Sequence, residues 1–201
     1  MAITTYLFDL DDTLIDAQIY AKIYPFIISG IKSKFKLTDK LLDEEMQQLG
    51  LKKNKYNRWD TGDICRALGM LDFYYQELEK AIQVNSWVNL DAQALFSTLK
   101  QRGKKIGIVS NSMSRTIYAY LHKYGLSEMV DFIVSAVELN KRKSDEVFWR
   151  DLISSHKLIP KETVVIGDDL QEDVNLPKKF GFQTFHMVRA EDLKRIAGLF
   201  P

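Results

Sequence analysis

The sequence is poor in several features that mark special classes of protein. It has a single cysteine, Cys65, in 201 residues, so no internal disulfide can form and a reducing, cytoplasmic setting is expected. Cys65 sits in the helical-looking stretch DICRALGML with no motif around it, which reads as a buried structural thiol and not as a nucleophile. No run of about 18 apolar residues and no signal-peptide h-region occur, so neither a membrane span nor export is expected. An excess of one charge is missing too. With 28 Lys and Arg against 27 Asp and Glu the net charge is +1, and no global field draws the chain to nucleic acid or to an anionic membrane. The four prolines are scattered, and there are no internal repeats or low-complexity tracts.

What is present describes a folded α/β protein. Apolar residues make up 46% and charged residues 27%, enough for one domain with a full core, or for a main domain carrying a smaller insert. Short β-rich runs, ITTYLFDL (3–10), KIGIVSN (105–111), DFIVSA (131–136), TVVIGDD (163–169) and QTFHMV (183–188), alternate with helical patterns. That alternation predicts a Rossmann-like parallel sheet wrapped by helices. Gly103, Gly125 and Gly181 fall just past helical patterns, where left-handed cap residues belong. Between about Asp16 and Trp87 the alternation stops, and the patterns YAKIYPFIISGIKSKF, LTDKLLDEEMQQLG, TGDICRALGM and LDFYYQELEKAI predict four helices. The expected organisation is a core of residues 1–15 and 88–201 with an all-helical insert at 16–87.

The chemistry concentrates at predicted strand ends. In YLFDLDDTL (6–14) an apolar run meets Asp9, Asp11 and Asp12. Like charges about 4 Å apart repel by roughly 4 kcal/mol at an effective dielectric near 20, so something positive must answer them. In an open parallel sheet, ligands bind beyond the carboxyl ends of the strands. Asp9 stands there, and Asp11, two residues on, can be aimed into the same pocket, a pairing that suits a nucleophile and a general acid. A polar loop with a helix cap is the alternative reading of these residues alone. The second core strand ends in IVSNS, where Ser110 and Asn111 offer donors for a phosphate oxygen, and Ser112 or Ser114 reads equally well as a cap. The fourth ends in VVIGDD, with Asp173 five residues past Asp168. Two acidic strand ends facing one crevice suit Mg²⁺, which binds one or two carboxylates together with a substrate phosphate. In NKRKS (140–144), Lys143 precedes the expected helix cap near Ser144, and reads as the counter-charge to carboxylates and phosphate; Lys141 and Arg142 read as solvent-facing.

FDLDDTL, VSNS, Lys143 and GDDLQED together resemble the four motifs of the haloacid dehalogenase-like (HAD) hydrolases, in that family's order and over about residues 3–190. The resemblance implies that Asp9 attacks phosphorus, that Asp11 serves as acid and then base, and that Lys143 neutralises both Asp9 and the phosphate. It implies Mg²⁺ held by the carboxylates of Asp9 and Asp168 and the backbone carbonyl of Asp11, with Asp173 ordering the lysine or the metal's waters. Ser110 and Asn111 then bind the phosphoryl group, and Thr13 steadies the loop beside it. Three positions depart from the family pattern. Asp12 stands where glycine is frequent. Ser144 replaces a usual proline, which makes Lys141 the substitute for Lys143. Asp169 replaces Ser or Thr and is a further candidate for the metal shell.

The insert matches the placement of the family's alpha-helical cap. Within it Tyr20, Tyr24, Arg58 and Trp59 are candidates for the substrate pocket, Arg58 as a grip on an anionic leaving group; the aromatics read more readily as cap core than as pocket wall. The basic stretch LKKNKYNR reads as a solvated loop more than as a nucleic-acid site. The implied function is a Mg²⁺-dependent phosphatase for a small phosphorylated metabolite (sugar phosphate, phosphoglycolate or nucleotide type), working as a monomer or weak homodimer without nucleic-acid or membrane partners. The alternatives are a phosphomutase, a 2-haloacid dehalogenase, and a non-catalytic binding module on the same fold.

Overall fold

The protein is represented by a computed structural model that describes residues 2–53 and 57–200. Asn54, Lys55 and Tyr56, part of the basic stretch LKKNKYNR, lie outside the described residues. The chain begins with β1 (Thr5–Phe8) and continues into α1 (Gln18–Phe35), α2 (Asp39–Gln48), α3 (Thr61–Ala67) and α4 (Leu71–Val84). Helix and strand then alternate through α5 (Ala92–Gln101), β2 (Lys105–Ser110), α6 (Ser114–Lys123), β3 (Phe132–Ser135) and α7 (Glu146–His156). The remainder is β4 (Thr163–Gly167), α8 (Leu176–Lys179), β5 (Gln183–His186) and α9 (Ile196–Leu199).

The five strands form one parallel sheet in the order β3-β2-β1-β4-β5. A central strand of such a sheet is covered on both faces, which is why β1 reads as an unbroken apolar run and is buried at every position. Leu7, Val109, Val134 and Val165 share one core with Phe148, Trp149 and Leu152 of α7 and with Phe182. Phe8 alternates to the opposite face and meets the Phe96 ring of α5 at 4.9 Å between centroids. Burial of each such side chain contributes about 1.5–3 kcal/mol. Because the chain winds outward from β1 to β3 and then returns to the other side as β4, the strand order reverses between β1 and β4. In open parallel sheets the point where the strand order reverses, beyond the carboxyl ends, is where ligands bind.

The chain divides into two compact units, Met1–Asp16 with Trp87–Pro201, and Ala17–Ser86. The first unit ties off the two connections: Asp16 N–H donates to Trp87 O at 2.7 Å and Asn89 N–H to Leu14 O at 2.7 Å, while Ile15 and Val88 form an antiparallel bridge.

In the second unit, Ile19, Ile23, Ile27 and Ile31 recur every fourth residue along α1 and are all buried, and α4 contributes Tyr74, Tyr75, Leu78 and Ile82. Thr38 and Asp60 cap α2 and α3, accepting from Leu41 N and Asp63 N. Trp59 is buried in this unit, its Nε1 donating to Asp43 Oδ1 at 2.6 Å, with Lys53 Nζ over its ring and also paired to Asp43. That makes Trp59 part of the helical unit's core. Cys65 is buried as well. Burial, with the Asp60 charge adding to it, pushes its thiol up to about 12, so it carries no thiolate near neutral pH.

Candidate active site

The site grows from the end of β1. Asp9 N–H donates to Ile166 O at 2.8 Å, so the backbone still pairs with β4 as the side chain leaves the sheet, and Asp9 is buried. The chain then turns back on itself. Leu14 N and Ile15 N both donate to Leu10 O at 2.9 Å, and Asp12 N to Ile15 O at 2.7 Å. Closing this turn puts Asp12 in the left-handed region at φ 56°. Asp tolerates that region better than β-branched residues do, which gives a physical reason why Asp can stand where glycine is frequent. Thr13 is buried, with its hydroxyl lacking a hydrogen-bond partner among the described residues, and its carbonyl accepts from Asn89 Nδ2 at 3.4 Å.

The second contribution follows β4. Asp168 stands immediately past the strand, with its carbonyl oxygen 2.9 Å from His186 Nε2. Asp169 accepts from Gln171 N and Glu172 N, both at 2.8 Å, and so caps the π-helical turn 170–175. That is its place in the fold, and it is not among the carboxylates that converge on the centre. The turn swings Asp173 back over Gly167. A Cβ on Gly167 would lie 2.2 Å from Asp173 Oδ2, so only glycine leaves room for this carboxylate.

Lys143 supplies the positive charge. It is 3% exposed, and its Nζ donates to Asp9 Oδ1 and, at 2.7 Å, to Asp173 Oδ1. Its backbone is held at both ends: Lys143 N–H donates to Asn111 Oδ1 at 3.0 Å, and its carbonyl accepts from the buried Trp149 Nε1 at 2.7 Å. Lys141, the substitute, instead pairs with Asp151 away from this cluster. The expected helix cap at Ser144 moves by one residue: Asp145 is the N-cap of α7, and its Oδ2 accepts from Arg142 N at 2.7 Å.

The β2 end brings Ser110, buried, with its Oγ accepting from Ser112 N at 3.0 Å. A hydroxyl that accepts there keeps its own proton for a further acceptor such as a phosphate oxygen. Asn111 is anchored by the protein, with one of its two amide N–H donors engaged. Its amide nitrogen donates to Glu172 Oε2 at 2.7 Å while its oxygen takes the Lys143 N–H, so both ends are engaged by the protein and Asn111 ties the β2, β3 and β4 ends together. The capping readings of Ser112 and Ser114 also change. Ser112 Oγ donates to Asp11 Oδ2 at 2.8 Å, and Ser114 lies inside α6, its N–H and hydroxyl both donating to Glu138. Arg58 lies in the helical unit, its guanidinium 5.7 Å over the Tyr24 ring.

The electrostatics are unbalanced. Burial pushes the Asp9 carboxyl well above the usual range; the Lys143 ammonium opposes this, and the Asp173 and Asp11 carboxylates add to it. Burial works against the charge of Lys143, but Asp9 and Asp173 outweigh it and raise its pKa. Asp9, Asp168 and Asp173 each offer an oxygen within 4.8 Å of the other two. Together with Asp11 they outnumber the one ammonium, and hard carboxylate oxygens in excess of local positive charge fit a divalent cation of the Mg²⁺ type. The expected contribution of Asp11 was its backbone carbonyl, and its carboxylate is not one of the three.

Residues 3–181 match the family described as haloacid dehalogenase-like hydrolase. The chain belongs to this family. It is similar to ribulose-1,5-bisphosphate 5-phosphatase of Halopiger xanaduensis, 27% identical over 47% of this chain and 39% of that protein, so it spans well under half of that relative. Glyceraldehyde 3-phosphate phosphatase of Methanothermobacter thermautotrophicus is 22% identical over 83% of this chain and 77% of that one. Among solved structures, a HAD phosphatase from Thermococcus onnurineus superimposes with a TM-score of 0.76 at 22% identity, covering 98% and 97% of the two chains. Against the HAD pattern, sequence reasoning missed four residues that brace the centre: Ser112 on Asp11, Glu172 on Asn111, Trp149 on Lys143 and His186 on Asp168. The first two lie inside the motifs VSNS and GDDLQED, so their positions carried a signal although their partners did not. Trp149 and His186 carried none.

Proposed function

We propose that the chain is a Mg²⁺-dependent phosphatase that hydrolyses a small phosphorylated metabolite through an aspartyl-phosphate on Asp9. The reading rests on one arrangement: a buried Asp9 paired to Lys143 and within common reach of Asp168 and Asp173. Asp9, Asp168 and the Asp11 carbonyl would hold Mg²⁺, which would supply positive charge for the transferring phosphoryl oxygens. An Asp9 oxygen attacks phosphorus as the ester P–O bond breaks, and Asp11 gives its proton to the departing alkoxide. Water then attacks the aspartyl-phosphate, Asp11 takes a proton from it, and the Asp9–phosphorus bond breaks to release phosphate. Lys143 favours the ionised form of Asp9 before attack and again after phosphate is released, and the Ser110 hydroxyl donates to the phosphoryl group. Ala17–Ser86 is taken as the family's helical cap, with Arg58 as its candidate cation for an anionic leaving group. Asp11 speaks against carbon–halogen cleavage, which needs no acid for the leaving group. A phosphomutase differs only in sending the phosphoryl group to a second hydroxyl.

No helix among the described residues is long and apolar enough to cross a membrane, and a small diffusible phosphate ester in the cytoplasm is the substrate this reading expects. A panel of phosphate esters assayed with Mg²⁺ tests it. Asp9→Asn is expected to lower phosphate release by at least about 10³-fold, and excess chelator to abolish it. Undiminished release by Asp9→Asn removes the nucleophile, and release in chelator removes the metal.

A further inference from the structure

An acid that first gives a proton to a leaving oxygen and then takes one from water must hold a single position through two half-reactions of opposite direction. Asp11 leaves the turn beside Asp12, whose backbone is in the left-handed region, and its carboxylate is half-buried. What braces it comes from two other strands. Ser112 Oγ donates to Asp11 Oδ2 at 2.8 Å. Ser112 itself is over-determined: its N–H donates to Ser110 Oγ at 3.0 Å, and its carbonyl accepts from Ser135 Oγ at 2.8 Å. Ser110 and Ser135 are register partners at the ends of β2 and β3, and both are buried. The Ser112 backbone, from which the hydroxyl projects, is therefore tied to the ends of both β2 and β3.

We infer that Ser112 is the positioning residue for the acid–base carboxylate, and that the Ser110–Ser112–Ser135 bracket fixes the phosphoryl-binding hydroxyl and Asp11 in one register. This rests on the phosphatase reading of the site. A serine hydroxyl suits the task because it carries one proton and two acceptor positions. It donates to Asp11 as a carboxylate, and can stay in place when Asp11 is protonated.

The leaving group separates this role from a merely structural one. Departure of an alkyl alcohol needs the proton from Asp11, whereas p-nitrophenolate leaves without it, and kcat/KM reports the step in which the ester bond breaks. With Mg²⁺ present, Ser112→Ala is expected to lower kcat/KM for glyceraldehyde 3-phosphate by roughly 10–100-fold. For p-nitrophenyl phosphate the loss stays within about threefold, Ser112→Thr recovers most of the activity, and Asp11→Asn gives the larger loss with the same selectivity. Equal losses on the two esters, no loss on either, or failure of Ser112→Thr to recover overturns the inference. If the unaltered protein hydrolyses neither ester, the phosphatase reading falls, and crystal structures of the unaltered protein and Ser112→Ala with Mg²⁺ decide the inference alone. An Asp11 carboxylate that moves in Ser112→Ala upholds it, and an unmoved one overturns it.

Discussion

Asp9 has two opposed demands at the level of the single side chain. The proposed reaction requires Asp9 to be ionised when it attacks, yet burial and two neighbouring carboxylates favour its protonated form, with Lys143 opposing them. The sign of its effect on folding follows. A carboxyl whose pKa is higher folded than unfolded binds more protons in the native state, so stability falls as pH rises from the unfolded value near 4 through the folded one. His156, whose imidazole is held below its usual range by burial against Phe132, acts oppositely and destabilises as pH falls through about 6.5. Thermal melts of the unaltered protein and of Asp9→Asn, both in chelator, separate the two because the His156 contribution cancels in the difference. The expected result is that the stability of Asp9→Asn relative to the unaltered protein, whatever its sign, rises with pH above about 4 and levels off once Asp9 is fully ionised. A pH-independent difference would mean that Asp9 keeps its ordinary affinity for protons.

Elements carry the site as much as residues do. α7 packs Trp149 into the sheet core and, through its indole N–H, holds the Lys143 carbonyl at 2.7 Å, so a core side chain sets where the ammonium starts. Trp149→Phe keeps an aromatic ring there and removes one buried hydrogen bond. It is expected to cost about 0.5–1.5 kcal/mol in urea denaturation, and, under the proposed reaction, to lower kcat with little change in KM, since the hydrogen bond bears on the lysine paired with Asp9 and not on substrate contacts. All five strands and the long helices were legible because their residues repeat with the period of the element: β-branched runs in β2 and β4, isoleucine at every fourth place in α1. The π-helical turn 170–175 was not legible, since LQEDVN scans as ordinary helix and only the close approach of Asp173 to Gly167 distinguishes it. The dual engagement of Asn111 was hidden for a similar reason. Hydrogen bonds between strand ends depend on sheet register, and a single strand's sequence does not encode the order of its neighbours.

For the whole molecule, the excess of carboxylate over ammonium at the switch point links cation binding to folding. A cation that binds only the native state at a hundred times its dissociation constant adds about 2.7 kcal/mol. Mg²⁺ is accordingly expected to raise the melting temperature of the unaltered protein over that in chelator, and Asp168→Asn to remove most of that rise; an identical rise in Asp168→Asn would locate the cation elsewhere. The tie between Leu14–Asp16 and Trp87–Asn89 bears on a different question. The segment Ala17–Ser86 departs and returns through residues that the first unit already pins side by side. Shortening or rebuilding that excursion would leave every strand of the first unit threaded as before, so the helical segment is free to vary while the carboxylate cluster on the sheet keeps its scaffold.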